Sequence, residues 1–285
     1  MLNVTKVLTD IVDERATAHF EALYPAASGT ALDFVRYAAG VALEAIGTSD
    51  ALYHNIEHTT HVTLVGLEIL KGRQEQQGDV PVRTWANVVV ALLCHDIGYV
   101  RSLCRADTAF NIATGQDGPA MRNVDGASDA VLMPVHVNRG KRFIEETFAE
   151  HRFADVDFIN TCIERTRFPV PEDPAYQGTA DFPGLVRAAD LIGQLSDPRY
   201  LNKLTAIFFE FEEIGFNEMT GYDRPGDLLT GYPAFFERHV QPYIIEASAY
   251  LEHSAEGRDI LAHLYANLER ARASIEAPLA NAANG

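Results

Sequence analysis

The most constraining feature of the sequence is a strongly apolar segment that ends in two polar residues. The segment reads RTWANVVVALLC from Arg83 to Cys94, and His95 and Asp96 follow it directly. Its apolar residues cover most faces of a helix, which predicts a central helix buried on all sides. Other helices must then surround it, and two side chains that are costly to bury lie at its end.

The remaining chain also repeats apolar residues at helical spacing, whereas the period-two runs typical of strands are missing. The pattern predicts an all-α fold in one domain over 1–285, with a core at about 50–200, N-terminal helices within 1–49 and C-terminal helices within 200–275. The segment at 105–130 lacks a sustained period and is predicted to be a long loop, for which a lid over a site is one interpretation. The predicted helices span 2–23, 33–46, 53–72, 83–98, 133–150, 156–166, 185–194, 198–214, 232–251 and 256–275.

The net charge of the chain limits its partners. At −17, the charge argues against a nucleic-acid polymer or an anionic membrane as a partner. A phosphate ester would need metal ions or a local basic cluster to attract it. The N-terminal stretch MLNVTKVLTDIVDERA lacks the apolar run of a signal peptide, and the apolar run at 88–94 is shorter than the ~20 residues of a membrane span. The cysteines Cys94, Cys104 and Cys162 lack zinc-site spacing, and we expect a cytoplasmic protein with reduced thiols.

Three histidines lie within the short stretch YHNIEHTTHV. His54, His58 and His61 are spaced i, i+4 and i+7, which predicts that their imidazoles share one face of a helix beginning near Tyr53. A single buried histidine is usually a hydrogen-bonded core residue, so this stretch by itself is a weak signal of a site.

Acidic residues interrupt two other apolar stretches. Asp96 follows His95 at the end of the central helix, and Asp190 lies inside LVRAADLIGQL. These groups are costly to bury unless they are paired or coordinated. Because imidazole nitrogens and carboxylate oxygens suit divalent ions, the combination predicts a metal site, without distinguishing Zn, Mn, Fe, Mg and Ni.

These motifs resemble the HD superfamily of metal-dependent phosphohydrolases, in particular its cyclic-nucleotide-phosphodiesterase-like branch. The branch opens with YHNxxHxxxV, which Tyr53, His54, Asn55, His58 and Val62 match without a gap. An HD pair and a later aspartate in ADLIGQLSDP follow in the same order. The resemblance covers about 50–200 and implies an HD-like core of packed helices around a metal site.

The resemblance also implies roles for individual residues, and a divalent metal site of one or two ions. Asp96 would bridge to a second ion held mostly by water, and Asn55 would orient its neighbour and contact the substrate. His54 would donate a proton to the leaving alkoxide, and either Glu57 or a carboxylate outside the segment would keep it protonated. The ligands of the first ion would be His58, His95, Asp96 and Asp190.

Some positions depart from phosphodiesterases proper. An acid is usual at the position of His61, which could bind phosphate or metal through water, support a ligand, or be structural. Tyr99 stands where a further histidine commonly follows the HD pair. A loose alignment of YPAFFERHVQPY puts Tyr232 where those enzymes have a purine-binding glutamine, and Phe235 at the clamping phenylalanine. His136 is a further candidate, because several HD proteins use a histidine from this region for a second metal or for phosphate.

Three functions remain open at this point. The leading hypothesis is a phosphohydrolase acting on a small phosphoester, nucleotide or cyclic-nucleotide-like, with a homodimer left open. A di-iron oxygenase would need both His61 and His136 at a second metal, and a regulatory HD protein would bind metal or nucleotide without turnover. A basic group, read either as a phosphate-binding patch or as a solvated helix face, comprises Arg139, Lys141, Arg142, Arg165 and Arg167.

Overall fold

The computed structural model describes residues 2–115 and 118–283. This part of the chain is 68% helical and contains two strands of two residues each, so the predicted all-α fold is confirmed. The helices are α1 (Val4–Leu23), α2 (Thr30–Ile46), α3 (Ile56–Gln77), α4 (Val82–Cys94), α5 (His136–Phe148), α6 (Val156–Glu164), α7 (Phe182–Ser196), α8 (Tyr200–Glu213), α9 (Phe216–Thr220), α10 (Pro225–Phe235), α11 (Gln241–Leu251) and α12 (Ala255–Ala283).

Short elements connect these helices. The strands β1 (Asn111–Ile112) and β2 (Met121–Arg122) form an antiparallel hairpin within the segment predicted to be a loop. A π-helical turn, Phe236–Val240, joins α10 to α11. Turns of 3-10 helix occur at Ile97–Tyr99, Asp129–Leu132 and Pro174–Tyr176.

Helix α4 is the central helix that its apolar composition predicts. Every residue from Trp85 to Cys94 is buried. The helix packs against α2, α3, α6 and α7, so it has neighbours on several sides. This burial explains why the segment has apolar residues on most of its faces.

Helices α3 and α7 cross closely, and this crossing positions the site. A Cβ atom at Gly193 of α7 would lie 2.9 Å from the Cα of Val62 on α3, so a larger residue would force the two helices apart. Helices α1 and α2 pack against α3 and α4, and α11 and α12 pack against α3 and α7. One apolar core cluster extends from Val12 on α1 to Ala271 on α12.

Several predicted helix boundaries are wrong, including those of the following two helices. Helix α3 begins at Ile56 rather than near Tyr53, because Asn55 is extended and its side chain caps the first turn. It also continues past residue 72 to Gln77. The helix predicted over 232–251 is instead α10, the π-helical turn and α11, in a stretch where Pro233 and Pro242 cannot donate a backbone hydrogen bond.

None of the described helices combines the length and the apolar character that crossing a bilayer requires.

Candidate metal centre and cavity

The end of α4 brings His95 and Asp96 to a common point. The helix ends at Cys94, and the turn that follows places His95 Nε2 3.1 Å from Asp96 Oδ2. His95 Nδ1 lies 2.8 Å from the carbonyl oxygen of Leu92, to which it donates. The lone pair of the neutral ring is therefore on Nε2, which faces the cluster, as in metal-binding histidines oriented by a second hydrogen bond.

Residues from two further helices complete the cluster. His58 Nε2, on α3, lies 3.4 Å from His95 Nε2 and 3.2 Å from Asp96 Oδ2. Asp190 Oδ1, on α7, lies 3.3 Å from His58 Nε2 and 3.6 Å from His95 Nε2. Ligands about 2.0–2.2 Å from a zinc-like ion are separated from one another by about 3.0–3.5 Å. The observed distances match the edges of such a coordination polyhedron.

The cluster also has the charge and the free atoms that a cation would use. One ligand atom from each of His58, His95 and Asp190 lies within 4.8 Å of the others, so the group could hold a metal ion. Asp96 Oδ2 is buried and accepts no hydrogen bond, which is costly unless a cation contacts it. Burial opposes ionisation of Asp190, but the adjacent imidazoles of His58 and His95 lower its pKa to about 2.

The second oxygen of Asp96 faces a different histidine. Asp96 Oδ1 lies 3.7 Å from His136 Nε2, at the start of α5. His136 Nδ1 lies 2.5 Å from the carbonyl oxygen of Met133, so its Nε2 is the nitrogen directed to Asp96. The two carboxylate oxygens of Asp96 therefore diverge, one towards His58 and His95 and the other towards His136. This is the arrangement that a bridging carboxylate requires.

His54 forms an ion pair with a buried glutamate. Its Nδ1 lies 2.5 Å from Glu210 Oε2, on α8, and Glu210 Oε1 accepts the backbone N–H groups of Tyr53 and His54 at 2.7 and 3.2 Å. Burial alone would lower the pKa of His54, but the Glu210 carboxylate raises it to about 9. Glu57 forms ion pairs with Arg199 and Lys203 instead. The carboxylate beside His54 is thus the one outside the segment.

The expectation that three imidazoles share one helical face is wrong. His54 precedes α3, so the i, i+4, i+7 relation does not apply to it. His61 is helical, but the charged groups nearest to it include Asp197 and Lys203, and burial lowers its pKa. Its Nε2 is buried without a hydrogen-bond partner, and the residue neither joins the cluster nor lines the cavity described below. The structure therefore does not bring His61 to the site.

Asn55, which lies between His54 and His58 in the sequence, caps the start of α3. Asn55 Oδ1 accepts the backbone N–H groups of Glu57 and His58 at 2.9 and 3.4 Å, and its amide donates to Leu52. The side chain does not line the cavity, so direct contact with a substrate is not what the structure indicates for Asn55. Its cap instead fixes the first turn of α3, which carries His58.

A cavity of about 150 Å³ opens beside the cluster. His54, Asp96, Tyr99, His136 and Asp190 line it. The ring of Tyr99 stacks between the imidazoles of His54 and His136, with centroids 4.6 Å from each. Tyr99, which stands where phosphodiesterases commonly have a further histidine, thus forms part of the cavity wall. No described residue of the segment 105–130 lines this cavity, so the lid interpretation of that loop is not supported.

A second cavity of about 380 Å³ adjoins the first and is largely apolar. The two share a wall that includes Phe168, Gln194 and Phe235. Phe235 therefore lines both cavities, and its role as a clamp stays a prediction. Tyr232 lines only the second cavity, where its ring packs 5.3 Å from that of Tyr200 and its buried hydroxyl has no hydrogen-bond partner.

The basic group does not act as one patch. Arg139 is fully buried and bonds Asp107 and the carbonyl oxygens of Gly98 and Val100. Because it anchors a loop, it is neither a phosphate ligand nor a solvated residue. Lys141 pairs with Glu164, Arg142 with Glu146, and Arg165 with Asp181. Of the five basic residues, Arg167 alone lines the cavity.

A family model described as Npun_R2479-like matches residues 2–274. The chain belongs to the Npun_R2479-like family. No curated protein and no solved structure matches it. The matched range includes every residue of the cluster and both cavities, so the site lies within the part of the chain that defines this Npun_R2479-like protein.

Two residues of the Npun_R2479-like site escaped the sequence analysis although a signal was present. Arg187, Asp190 and Gln194 are spaced i, i+3 and i+7 on α7, and all three line the cavity. Polar residues at that spacing inside the apolar stretch LVRAADLIGQL indicate one functional face, of which only Asp190 was singled out. Glu210 was also missed, and the stretch AIFFEFEEIG gives no reason to prefer it over the two acids that follow.

Proposed function

We propose that this chain is a metal-dependent phosphohydrolase that cleaves a small phosphoester with a metal-activated water. The observation that carries the proposal is that His54, an imidazole paired with a buried carboxylate, lines the same cavity as Asp96 and Asp190 of the candidate metal cluster. A proton donor and a set of cation ligands at one cavity are the two elements that hydrolysis of an alkyl phosphoester needs. The likeness to the HD superfamily supports the same proposal.

Four side chains would hold the first cation: His58, His95, Asp96 and Asp190. A divalent ion bound there would lower the pKa of a water molecule and offset negative charge in the transition state. The diverging oxygens of Asp96 support a bridge to a second ion on the side of His136. Zn, Mn, Fe, Mg and Ni all remain candidates, because they share these ligand types.

His54 would be the general acid. Its Nδ1 is engaged by Glu210, so Nε2 is the nitrogen available to a leaving-group oxygen. With its pKa raised to about 9, the ring is protonated at neutral pH and can deliver a proton to an alkoxide. A pure binding protein has no need of such a donor, which supports turnover over the regulatory alternative.

The adjoining apolar cavity supports a site for the leaving group. Phe235 and Phe168 lie on the shared wall, 5.7 Å apart between ring centroids, and Gln194 supplies an amide there. Tyr232, on the far side of this wall, would contact the leaving group rather than the phosphoryl group. The proposed substrate is therefore a phosphoester whose alcohol has a ring or another apolar part.

The oxygenase alternative has weaker support than hydrolysis. It required both His61 and His136 at a second metal, and His61 lies among other charged groups outside the cavity. His136 alone leaves a second ion with few nitrogen ligands, which fits an ion held mostly by water.

The test is metal analysis of the purified protein followed by hydrolysis of a panel of phosphomonoesters, cyclic nucleotides and dinucleotides. We expect His54→Ala to lower kcat by roughly 100-fold or more for alkyl esters, since positioned acids typically contribute 10²–10⁴-fold. The loss should be much smaller for p-nitrophenyl phosphate, whose phenolate leaves without a proton. His61→Ala is the matched control from the same segment, and we expect its activity to stay within threefold of the parent.

Two outcomes would contradict the proposal. One is a protein that hydrolyses nothing in the panel when loaded with any of the five metals. The other is an equal loss in His54→Ala for alkyl and p-nitrophenyl esters, because the residue would then not act by protonating the leaving group.

A further inference from the structure

One cation of the cavity wall has no carboxylate partner. The side chain of Arg187, on α7, is 2% exposed and lines the cavity one helical turn before Asp190. Its Nη1 and Nη2 donate to the carbonyl oxygens of Tyr176 and Gly178 at 2.6 and 2.8 Å, and its Nε–H is buried without an acceptor. Among the described residues, no carboxylate forms an ion pair with it.

The arginine is nevertheless charged and firmly held. Burial lowers the pKa of Arg187 to about 10, which still leaves the guanidinium protonated at neutral pH. The guanidinium lies over the ring of Tyr243, 4.1 Å from its centroid. A fixed, buried cation without a counter-ion is costly in isolation, and a bound anion would offset that cost.

Arg167, on the rim of the same cavity, adds a second excess charge. It pairs with Glu164, but that carboxylate also pairs with Lys141 and accepts a hydrogen bond from Tyr176. One carboxylate thus serves two cations. Arg167 also donates to Asn138, which orients its guanidinium without neutralising it.

The charges of the cavity then favour a particular ligand. A divalent cation would balance the ionised Asp96 and Asp190, and the pair of His54 with Glu210 is neutral as a whole. Arg187 contributes one positive charge, and Arg167, Lys141 and Glu164 together contribute one more. About two positive charges are therefore left unbalanced. Guanidinium groups bind phosphate oxygens through paired N–H donors, so the excess matches a phosphoryl dianion.

We propose that Arg167 and Arg187 form an oxyanion clamp beside the metal cluster and that the substrate is a phosphomonoester dianion rather than a phosphodiester. This rests on the proposed hydrolysis for the identity of the substrate, but the clamp itself needs no turnover. A diester, cyclic nucleotides included, carries one negative charge at phosphorus and has two terminal oxygens, whereas a monoester dianion has three.

The first experiment measures binding by calorimetry to the metal-loaded protein at pH 8, with inorganic phosphate and dimethyl phosphate as probes. Phosphate is mainly a dianion at this pH, whereas dimethyl phosphate is a monoanion. We expect phosphate to bind more tightly, and Arg167→Gln and Arg187→Gln to weaken it by about 10- to 100-fold, the usual effect of losing a charge-assisted hydrogen bond. Arg165→Gln is the matched control, because Arg165 also donates to Gly178 but does not line the cavity.

Each outcome of the binding experiment either supports or contradicts the proposed clamp. Phosphate binding that is unchanged in Arg167→Gln would overturn the clamp. Phosphate binding that Arg165→Gln weakens as much as the two cavity variants would also overturn it, because the effect would then come from the loop near Gly178. Thermal unfolding identifies a variant that fails to fold, and if Arg187→Gln fails, the result for the partly exposed Arg167 decides alone.

The second experiment compares kcat/KM for p-nitrophenyl phosphate and bis-p-nitrophenyl phosphate in the metal-loaded protein. We expect Arg167→Gln to lower the monoester value by at least tenfold and the diester value by less than threefold. A parent protein that prefers the diester would overturn the substrate class. If neither ester is cleaved while calorimetry still detects the clamp, the proposed function fails and the anion site stands.

Discussion

The pairing of His54 with Glu210 leads to a quantitative prediction. In Glu210→Gln the amide can keep its hydrogen bonds to the backbone N–H groups through Oε1, but it then presents an NH2 group to His54 Nδ1. An N–H donor there favours the neutral ring, so the pKa of His54 should fall from about 9 to its unperturbed value of ~6.5 or below. At pH 7.5 the protonated fraction would fall from ~97% to ~9%, which predicts a roughly tenfold loss of activity if His54 is the acid.

The assay is kcat/KM for an alkyl phosphomonoester between pH 6 and 10. In the parent protein the activity should decline above pH 9, and in Glu210→Gln the decline should move to lower pH by about 2.5 units or more. Glu57→Gln is the control, because Glu57 pairs with Arg199 and Lys203, and its alkaline limb should not move. A limb that stays near pH 9 in Glu210→Gln would refute the reasoning, since the titrating group would not be His54.

The same pair should affect stability. A histidine whose pKa is raised in the folded state stabilises the fold fully below its unfolded pKa of ~6.5, and this contribution is lost as the pH rises through about 9. The free energy of unfolding of the metal-free protein, measured in urea, should therefore decline between pH 6.5 and 9. Glu210→Gln should flatten the decline, and an unchanged slope would argue against the ion pair.

Three further predictions concern other parts of the molecule. Asp96→Ala should reduce bound metal, measured by mass spectrometry, to background while the helical circular dichroism persists; full metal content would contradict its role as a ligand. Burial opposes ionisation of Glu68, but the hydrogen bond with His19 lowers the pKa of Glu68 to about 2. The stabilisation that this contact provides is present above the unfolded pKa of ~4.3 and is lost as the pH falls towards 2. Glu68→Gln should therefore lower the free energy of unfolding by about 1–3 kcal/mol at pH 7 and flatten its decline at acid pH, as measured in urea titrations. In Gly98→Ala the new Cβ would lie 1.8 Å from the carbonyl oxygen of His136, so α5 must shift, and we expect a Tm lower by several degrees; an unchanged Tm would mean that α5 moves at little cost.

The sequence was sufficient to predict features that depend on a local pattern of residues with few alternative explanations. Helix α4 was predictable because a run with apolar residues on most faces has few stable environments outside a core. His58, His95, Asp96 and Asp190 were predictable as a group because each is polar within an apolar helix. Their convergence follows from the packing of α3, α4 and α7.

The parts that were missed depend on tertiary contacts. Glu210 is one of three acids in AIFFEFEEIG, and only its contact with the turn before α3 distinguishes it from Glu212 and Glu213. His61 was grouped with His54 because the helix was assumed to begin one turn too early, whereas Asn55 was available as a cap signal. The spacing of Arg187 with Asp190 places it on the same face of α7, but the backbone carbonyl oxygens that hold it cannot be read from a sequence.

The distribution of the cluster along the chain links metal supply to folding. His58, His95 and Asp190 belong to three segments that are far apart in the chain, so an ion bound between them would cross-link most of the core. The unfolded chain has no such preformed site, and the free energy of binding would therefore add to the free energy of folding. At a free ion concentration one hundred times the dissociation constant, the gain is about 2.7 kcal/mol. Cells short of the ion would then hold less of the folded protein, because proteases remove chains that open more often.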